Sequence, residues 1–373
     1  MKILFYIHSL VVGGAETIVT NNLISLKEKG IEVALVVNHN VDSFLQQRVK
    51  KTNIVIHPLD RKKPTGKLKQ LVWKIEGRFK NYKKIVDNII RIEKPDIIHI
   101  NTLINRFNNV SFPRDKIVYT FHSEIERSLE MNGRKNANII KKYSLKGMNF
   151  FALNNSMIED IKDKYNTKNI YKITNYVDVK KIMTSRYEKT AFLRGLGIPE
   201  ESYVLGHVGS FRSVKNQERV ISIFSELHSR KPNSYLVLVG GDVNNRVSKI
   251  ERIAKGLGIG DHIKILGIRD DAPSIMSCFD GFVLPSYSES FSLVLVEAQV
   301  HKIRCIASDN VPEDVFCNEN CFRLSLDEPD CVWVDLLLGD EKQNRKKSIR
   351  EFDIDFVTNK MIEAYQEIIN NPK

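Results

Sequence analysis

Two glutamates eight residues apart, Glu289 and Glu297, stand in the run Pro285-Ser-Tyr-Ser-Glu-Ser-Phe-Ser-Leu-Val-Leu-Val-Glu-Ala298. Carboxylates accept paired hydrogen bonds, so at the carboxyl edge of a sheet they suit the adjacent hydroxyls of a sugar or a ribose. Two surface glutamates would show the same spacing. Upstream, Gly209-Ser-Phe-Arg-Ser-Val-Lys-Asn216 follows an apolar run and precedes a helical pattern. Arg212 and Lys215 in that turn would gather positive charge beside a helix N-terminus, where an anion can bind. A solvated basic turn fits those residues equally. His122 directly follows the apolar run Ile117–Phe121. An isolated histidine serves structure more often than chemistry, but a place at a strand's carboxyl end favours chemistry. Gly13-Gly14-Ala15-Glu16 follows the first apolar run and opens a helical pattern. Glycines there let a phosphate or sugar approach backbone N–H groups, or simply make a tight turn.

Other chemistries lack their residues. There is no GxGxxG, and Val37-Asn38-His39 stands where a second strand of a nicotinamide-binding fold would end in an acid. A GxxxxGK[ST] loop is absent, which disfavours a Walker-type ATPase. The five cysteines (Cys278, Cys305, Cys317, Cys321, Cys331) form no CxxC pair. They read as reduced thiols of a cytosolic protein, and the loose Cys317/Cys321 spacing without a nearby histidine makes zinc improbable.

These residues need elements to position them. Ile3–Ile7, Val33–Val37, Ile54–Ile56, Ile97–Ile100 and Ile117–Phe121 read as buried strands. Between them, Glu16–Lys29 and the long stretch Lys67–Ile92 carry apolar residues at three- and four-residue spacing, the mark of amphipathic helices. The alternation restarts after about residue 180. Val204–Val208, Tyr235–Val239, Ile263–Leu266, Gly281–Leu284 and Cys305–Ala307 read as strands, and Val214–His228, Val247–Leu257, Ser274–Cys278 and Ser292–His301 as helices. Asp355–Ile369 adds a helix with Phe356, Met361, Ala364, Tyr365 and Ile368 on one side. The expected fold class is α/β: two Rossmann-like, doubly wound domains with parallel sheets covered on both faces. The expected boundaries are 1–180, joined by a returning helix 353–373, and 181–352. Open sheets in tandem bind ligands in the cleft at the carboxyl ends of their strands.

Composition agrees. A chain of 373 residues with 42% apolar and 27% charged residues is globular, and its length suits two domains. No apolar run approaches the roughly 20 residues of a bilayer span, and Ile3–Ile7 is too short for a signal peptide. The formal charge of +12 divides into +15 for residues 1–180 and −3 for the rest. Between Arg61 and Lys84 ten basic residues face one acid, Glu76. A basic half points to an anionic partner: nucleic acid, a membrane surface or a phosphorylated substrate.

Together these motifs resemble the retaining glycosyltransferases of the fourth sequence family, which have the GT-B fold. The likeness runs through nearly the whole chain. It is strongest in Lys264-Ile-Leu-Gly-Ile-Arg-Asp-Asp-Ala-Pro273, Phe282-Val-Leu-Pro-Ser286, the Glu289…Glu297 pair and Ala307-Ser-Asp-Asn-Val-Pro-Glu313, with Gly13-Gly14-Ala15-Glu16 at the other end. Members that build bacterial capsular and exopolysaccharides are the most similar. The resemblance implies an acceptor-binding first domain and a donor-binding second one. Glu297 would bond the ribose of a nucleotide-diphosphate sugar, more often UDP-linked than GDP-linked. Glu289 would lie under the donor hexose, with the backbone of Ser290, Phe291 and Ser292 near its hydroxyls. Lys215, Gly209 and Arg212 would serve the diphosphate, Gly14 would pass close to it, and His122 would reach the donor sugar. Asn175 and Asp178 match the Asn-x-x-Asp element leading into the second domain. The last helix would return to the first domain. No cofactor is implied, and with no Asp-x-Asp in a suitable loop, no metal.

The sequence departs from the family at three positions. Ser210 replaces an arginine that usually follows the glycine, Ser290 replaces a glycine after the first glutamate, and Tyr176 replaces a glycine after the asparagine. The acceptor side would comprise Gly13 and the basic stretch with Lys67, Lys69, Trp73, Lys74 and Lys80. If the acceptor is a saccharide on a polyprenyl diphosphate, those lysines would hold the protein to the anionic inner face of the cell membrane, at about 1 kcal/mol each. A surface helix with a solvated basic side fits them too. The rival readings are a related GT-B epimerase or phosphorylase and a nucleic-acid-binding protein. The last is disfavoured because no aromatic platform interleaves the basic residues.

Overall fold

The computed structural model describes residues 1–10, 14–39, 44–60, 81–123, 125–344 and 347–371. The chain divides into two compact units, 1–175 with 355–373, and 176–354.

The first unit is built on seven parallel strands. In chain order they are β1 (Lys2–Ile7), β2 (Glu32–His39), β3 (Val55–Asp60), β4 (Ile97–Ile100), β5 (Ile117–Thr120), β6 (Asn149–Ala152) and β7 (Ile170–Lys172). They lie side by side as β3-β2-β1-β4-β5-β6-β7. Ile3 to Ile7 are fully buried, as a strand covered on both faces requires. Helices α1 (Gly14–Glu28), α2 (Phe44–Lys51), α3 (Tyr82–Glu93), α4 (Ile125–Ser144) and α5 (Asn155–Tyr165) connect them. Helix α1 buries Ile18, Val19, Leu23 and Leu26, the stripe its spacing predicts. Residues 67–80 of the expected 67–92 helix lie outside the described residues, and Asn81, at φ −83° and ψ 80°, breaks that expected single helix, so that helix α3 begins at Tyr82. It is capped by the Asn81 side chain on the Lys84 amide, and it stops at Lys94, whose φ of 46° is left-handed just before Pro95.

The second unit carries six parallel strands: β8 (Tyr203–Val208), β9 (Ser234–Val239), β10 (Ile263–Ile265), β11 (Gly281–Leu284), β12 (Arg304–Ser308) and β13 (Cys321–Leu324). Their order is β10-β9-β8-β11-β12-β13. Helices α6 (Val179–Thr184), α7 (Lys189–Gly195), α8 (Gln217–Arg230), α9 (Arg246–Gly256), α10 (Ala272–Ile275), α11 (Leu293–Val300) and α12 (Asp330–Leu338) surround the sheet. Phe224, Leu236, Val283, Ile306 and Trp333 meet in its core.

The final helix, α13 (Ile354–Asn370), closes the first unit. Its Tyr365 hydroxyl bonds Nδ1 of the buried His99 at 2.6 Å, and the His99 Nε2 meets Thr120 Oγ1 at 2.7 Å. Thr358 bonds Ser25 of α1 at 3.1 Å. One expected member of its inner face is corrected: Phe356 is 41% exposed, and Val357 takes the inner position. Val357, Met361, Ala364, Tyr365 and Ile368 keep a single helical phase, which Phe356 misses by one residue, about 100°.

The structure adds β6, β7 and β13 to the strands read from sequence. It also shortens one helix. Ser213–Lys215 form a 3-10 turn, Asn216 is left-handed at φ 52°, and α8 begins only at Gln217. None of the five cysteines forms a disulfide. Among the described residues no helix is long and apolar enough to cross a membrane.

Candidate functional site

The carboxyl edge of the second sheet is shaped first by glycine. Gly240, at φ 155°, lies so close to the turn after β8 that a Cβ there would sit 2.0 Å from the Gly209 carbonyl oxygen. Backbone bonds from Gly209 N to Val239 O and from Phe211 N to Gly241 O hold the two turns together at 2.8 Å. Gln217, the first residue of α8, donates its side-chain amide to Ser210 O at 3.0 Å. The turn is therefore fixed before any ligand arrives.

Out of this turn comes Lys215, and its ammonium donates to Glu289 Oε1 at 2.5 Å. The same oxygen accepts from Ser286 Oγ at 2.8 Å. The lysine side chain is 19% exposed and the glutamate 11%, so solvent screens the pair only weakly. Tyr287 N bonds Val214 O at 2.8 Å, joining the loop after β11 to the turn after β8. Beneath them, buried His207 gives its Nδ1 proton to Val283 O at 3.0 Å. Burial, with the Lys215 charge as a lesser cause, pushes its pKa down to about 4. It is a neutral support.

The loop then reaches Ser292, held at φ 89° immediately before α11. Its buried hydroxyl has no hydrogen-bond partner among the described residues. A non-glycine residue in that conformation stores strain of about 1–3 kcal/mol, which is common at ligand sites. Glu297, one turn into α11, is half-buried and makes no hydrogen bond or ion pair among the described residues. Desolvation pushes its pKa up to about 7. A carboxylate kept from water and left unpartnered is poised for a ligand with hydroxyl donors.

Lys215 and Glu289 are brought into contact. Glu297 bonds neither of them. Arg212 is exposed and has no ion pair among the described residues. Phe291 is buried with its ring edge-on to Phe352 at 5.7 Å, so its side chain is a packing group. Ser290 is half-buried, and the turn glycine Gly209 lies close to the Lys215 stem. Sequence reasoning passed over Ser286, His207 and Gln217. The spacing of Ser286, three residues before Glu289 in a serine-rich loop, was the available signal.

In the first unit, Gly14 opens α1 on open space. His122 shares a pocket with Asn22, His99, Asn101, Thr174 and Asn175. Its Nε2 lies 3.0 Å from Asn101 Oδ1, which places the proton on Nε2. Burial pushes its pKa down to about 4, so it is a neutral hydrogen-bonding group near pH 7. Asp178 proves to be a helix cap, accepting from Lys181 N at 2.8 Å. Gly13, Lys67, Lys69, Trp73, Lys74 and Lys80 lie outside the described residues.

Comparisons with known proteins cover both units. Residues 12–181 match the family described as Glycosyltransferase Family 4, and residues 188–321 match Glycosyl transferases group 1. EpsF of Bacillus subtilis, described as a glycosyltransferase, is 34% identical over 157 residues, which are 42% of this chain and 40% of that protein. The N-acetyl-alpha-D-glucosaminyl L-malate synthase of Bacillus anthracis is 28% identical over 165 residues, 43% of this chain and 42% of that one. The chain thus spans about two fifths of the length of these curated relatives. Among solved structures, HepE of Anabaena in complex with UDP gives a TM-score of 0.76 at 18% identity, covering 98% of this chain and all of that one. A glycosyltransferase from Rickettsia africae gives 0.75 at 18% identity, covering 99% of both. At that identity the structures show the fold, and the matched families supply the rest: the chain belongs to the group 1 glycosyltransferases of GT-B fold.

Proposed function

We propose that this protein is a retaining hexosyltransferase that moves a hexose or N-acetylhexosamine from a nucleotide-diphosphate sugar, UDP-linked, to a saccharide or polyprenyl-diphosphate-linked acceptor in cell-surface polysaccharide synthesis. The observation that carries the reading is the Lys215–Glu289–Ser286 cluster with the unpartnered Glu297 in the same unit. The HepE structure with UDP-glucose supports the donor class.

Cleaving the anomeric bond leaves a diphosphate with growing negative charge while the sugar becomes oxocarbenium-like. A preorganised cation stabilises that charge best where water is scarce. Lys215 is such a cation, held by Glu289 until phosphate oxygens compete for its ammonium protons. Glu289 then keeps its second oxygen for sugar hydroxyls, and Glu297 accepts from the ribose diol. Arg212 stands in for the arginine absent at position 210. His122, neutral and anchored to Asn101, serves as a hydrogen-bonding group for the sugar. No metal enters this reading, because these side chains supply the leaving-group charge. Retention follows if the leaving phosphate assists the incoming hydroxyl on the same face.

The basic stretch ending at Lys83 and Lys84 docks the first unit on anionic lipid, which places the enzyme on the cytoplasmic face of the membrane. Flotation with anionic liposomes tests that part, and absence of binding defeats it. The activity itself is tested by incubating the chain with a panel of UDP- and GDP-sugars and measuring nucleotide release, with and without lipid-linked acceptor. Release from UDP-sugars that rises with acceptor supports the reading, and no release from any donor overturns it.

A further inference from the structure

A second polar cluster lies at the carboxyl edge of the first sheet, and its centre is Arg106. The chain leaves β4, turns through Ile104–Phe107, and sends the Arg106 guanidinium to the carboxyl ends of β2 and β3. There Arg106 Nε donates to Asn38 Oδ1 at 3.0 Å. Asn38 is buried, and its amide nitrogen lies 3.4 Å from His8 Nδ1 at the end of β1. The guanidinium carbon rests 3.6 Å from the centroid of the Tyr82 ring, a cation–π stack that fixes its plane. The Tyr82 hydroxyl donates to the buried Asp60 carboxylate, 2.9 Å from each oxygen.

The arrangement supports Arg106 without satisfying it. Asp60 is 3.8 Å from Arg106 Nη2, an attraction that is longer than a hydrogen bond. A guanidinium has five N–H donors. One is taken by Asn38, and those on Nη1 and Nη2 meet no acceptor at hydrogen-bond distance among the described residues. The Arg106 side chain is 26% exposed, while Asp60 beneath it is 5% exposed. Beside them the fully buried Tyr6 hydroxyl also lacks a hydrogen-bond partner among the described residues, and it feels the charges of Arg106 and Asp60. A partly exposed planar cation whose terminal donors are unfilled among the described residues matches the geometry of a phosphate or carboxylate.

We propose that Arg106 recognises an anionic group of the acceptor, so that this chain glycosylates a phosphorylated or carboxylated acceptor. The inference rests on the transferase reading above and adds the acceptor's chemical class. Arg106 holds the oxyanion through two parallel N–H donors. Tyr82 and Asn38 keep the fork oriented, and Asp60 offsets the cost of holding the cation before the acceptor arrives.

The test uses the full chain saturated with UDP, so that the donor site is filled. Sodium phosphate, sodium acetate and neutral glycerol are titrated separately while the arginine Nε–H resonances are followed by NMR, with Arg106→Lys identifying the Arg106 signal. The expected result is a saturable shift of that signal with phosphate, acetate or both, and none with glycerol. Phosphate alone assigns a phosphorylated acceptor, and acetate as strong as phosphate admits a carboxylate. Calorimetry on Arg106→Gln should show at least a tenfold loss of anion affinity with unchanged UDP affinity. An Arg106 signal that ignores both anions, or moves equally with glycerol, overturns the inference while leaving the transferase reading intact. Failure of UDP itself to bind defeats that reading instead.

Discussion

Replacing Glu297 with glutamine separates the cost of the site from its use. Burial raises the Glu297 pKa from about 4.5 to about 7. The folded protein therefore binds this proton more tightly than the unfolded chain. Stability from this group is fully present below pH 4.5 and is lost as pH rises through 7. At about 1.4 kcal/mol per pH unit the full loss is ~3 kcal/mol, and partial solvent access brings it nearer ~2. Glu297→Gln cannot ionise, so it should match the parent near pH 5 and exceed it by ~2 kcal/mol at pH 8.5. In a unit of this size that is roughly 4–8 °C in melting temperature. Thermal melts followed by circular dichroism between pH 5 and 8.5 measure it. Uridine, which carries the ribose diol without a phosphate of its own, supplies the functional half. Its affinity for the parent should rise as pH passes 7, and its affinity for the variant should be weaker and flat. A glutamine variant whose stability advantage over the parent is no greater at pH 8.5 than at pH 5 would falsify the burial argument.

Three other substitutions probe separate links. Lys215→Met leaves the Glu289 carboxylate, 11% exposed, with Ser286 as its remaining side-chain donor among the described residues. It should cost about 2–3 kcal/mol in denaturant unfolding and lower transfer by about 100-fold or more, and Lys215→Met/Glu289→Gln should recover most of the stability but none of the activity. Tyr365→Phe removes the hydroxyl on His99 Nδ1 and should cost about 1–3 kcal/mol, read as faster amide exchange along the last helix. Burial holds the His99 pKa near 3, so the unfolded chain binds its proton first, and stability should fall as pH drops below about 6.5. Gly240→Ala forces a Cβ into the Gly209 carbonyl and should displace the turn that carries Lys215, lowering UDP affinity more than the first unit's stability.

Much of the fold was legible because buried parallel strands are written as apolar runs. Ile3–Ile7 and Gly281–Leu284 announce themselves. The strands β7 and β13 do not, since Ile170-Tyr-Lys172 and Cys321-Phe-Arg-Leu324 sit towards sheet edges where one face admits polar residues. Phe356 misled because hydrophobicity alone cannot choose between two helical phases one residue apart. The site was legible residue by residue and not as contacts. Lys215 and Glu289 are 74 residues apart, and only the folded sheet shows them to be ion-paired. The left-handed Asn216 that leaves Lys215 outside the helix carries no periodic signature. Arg106 had none either: a single arginine in Asn105-Arg106-Phe107 gains meaning only when the sheet sets β3, β2, β1 and β4 side by side.

The central claim is that the second unit binds a nucleoside diphosphate through placed charges and Glu297. Calorimetric titration of UDP into the full chain, and into Glu297→Ala and Lys215→Ala, tests it most directly. The parent should bind UDP saturably at 1:1, each variant should lose at least tenfold in affinity, and the circular dichroism spectra should coincide. Equal affinity across the three proteins, or no binding by the parent, would contradict it.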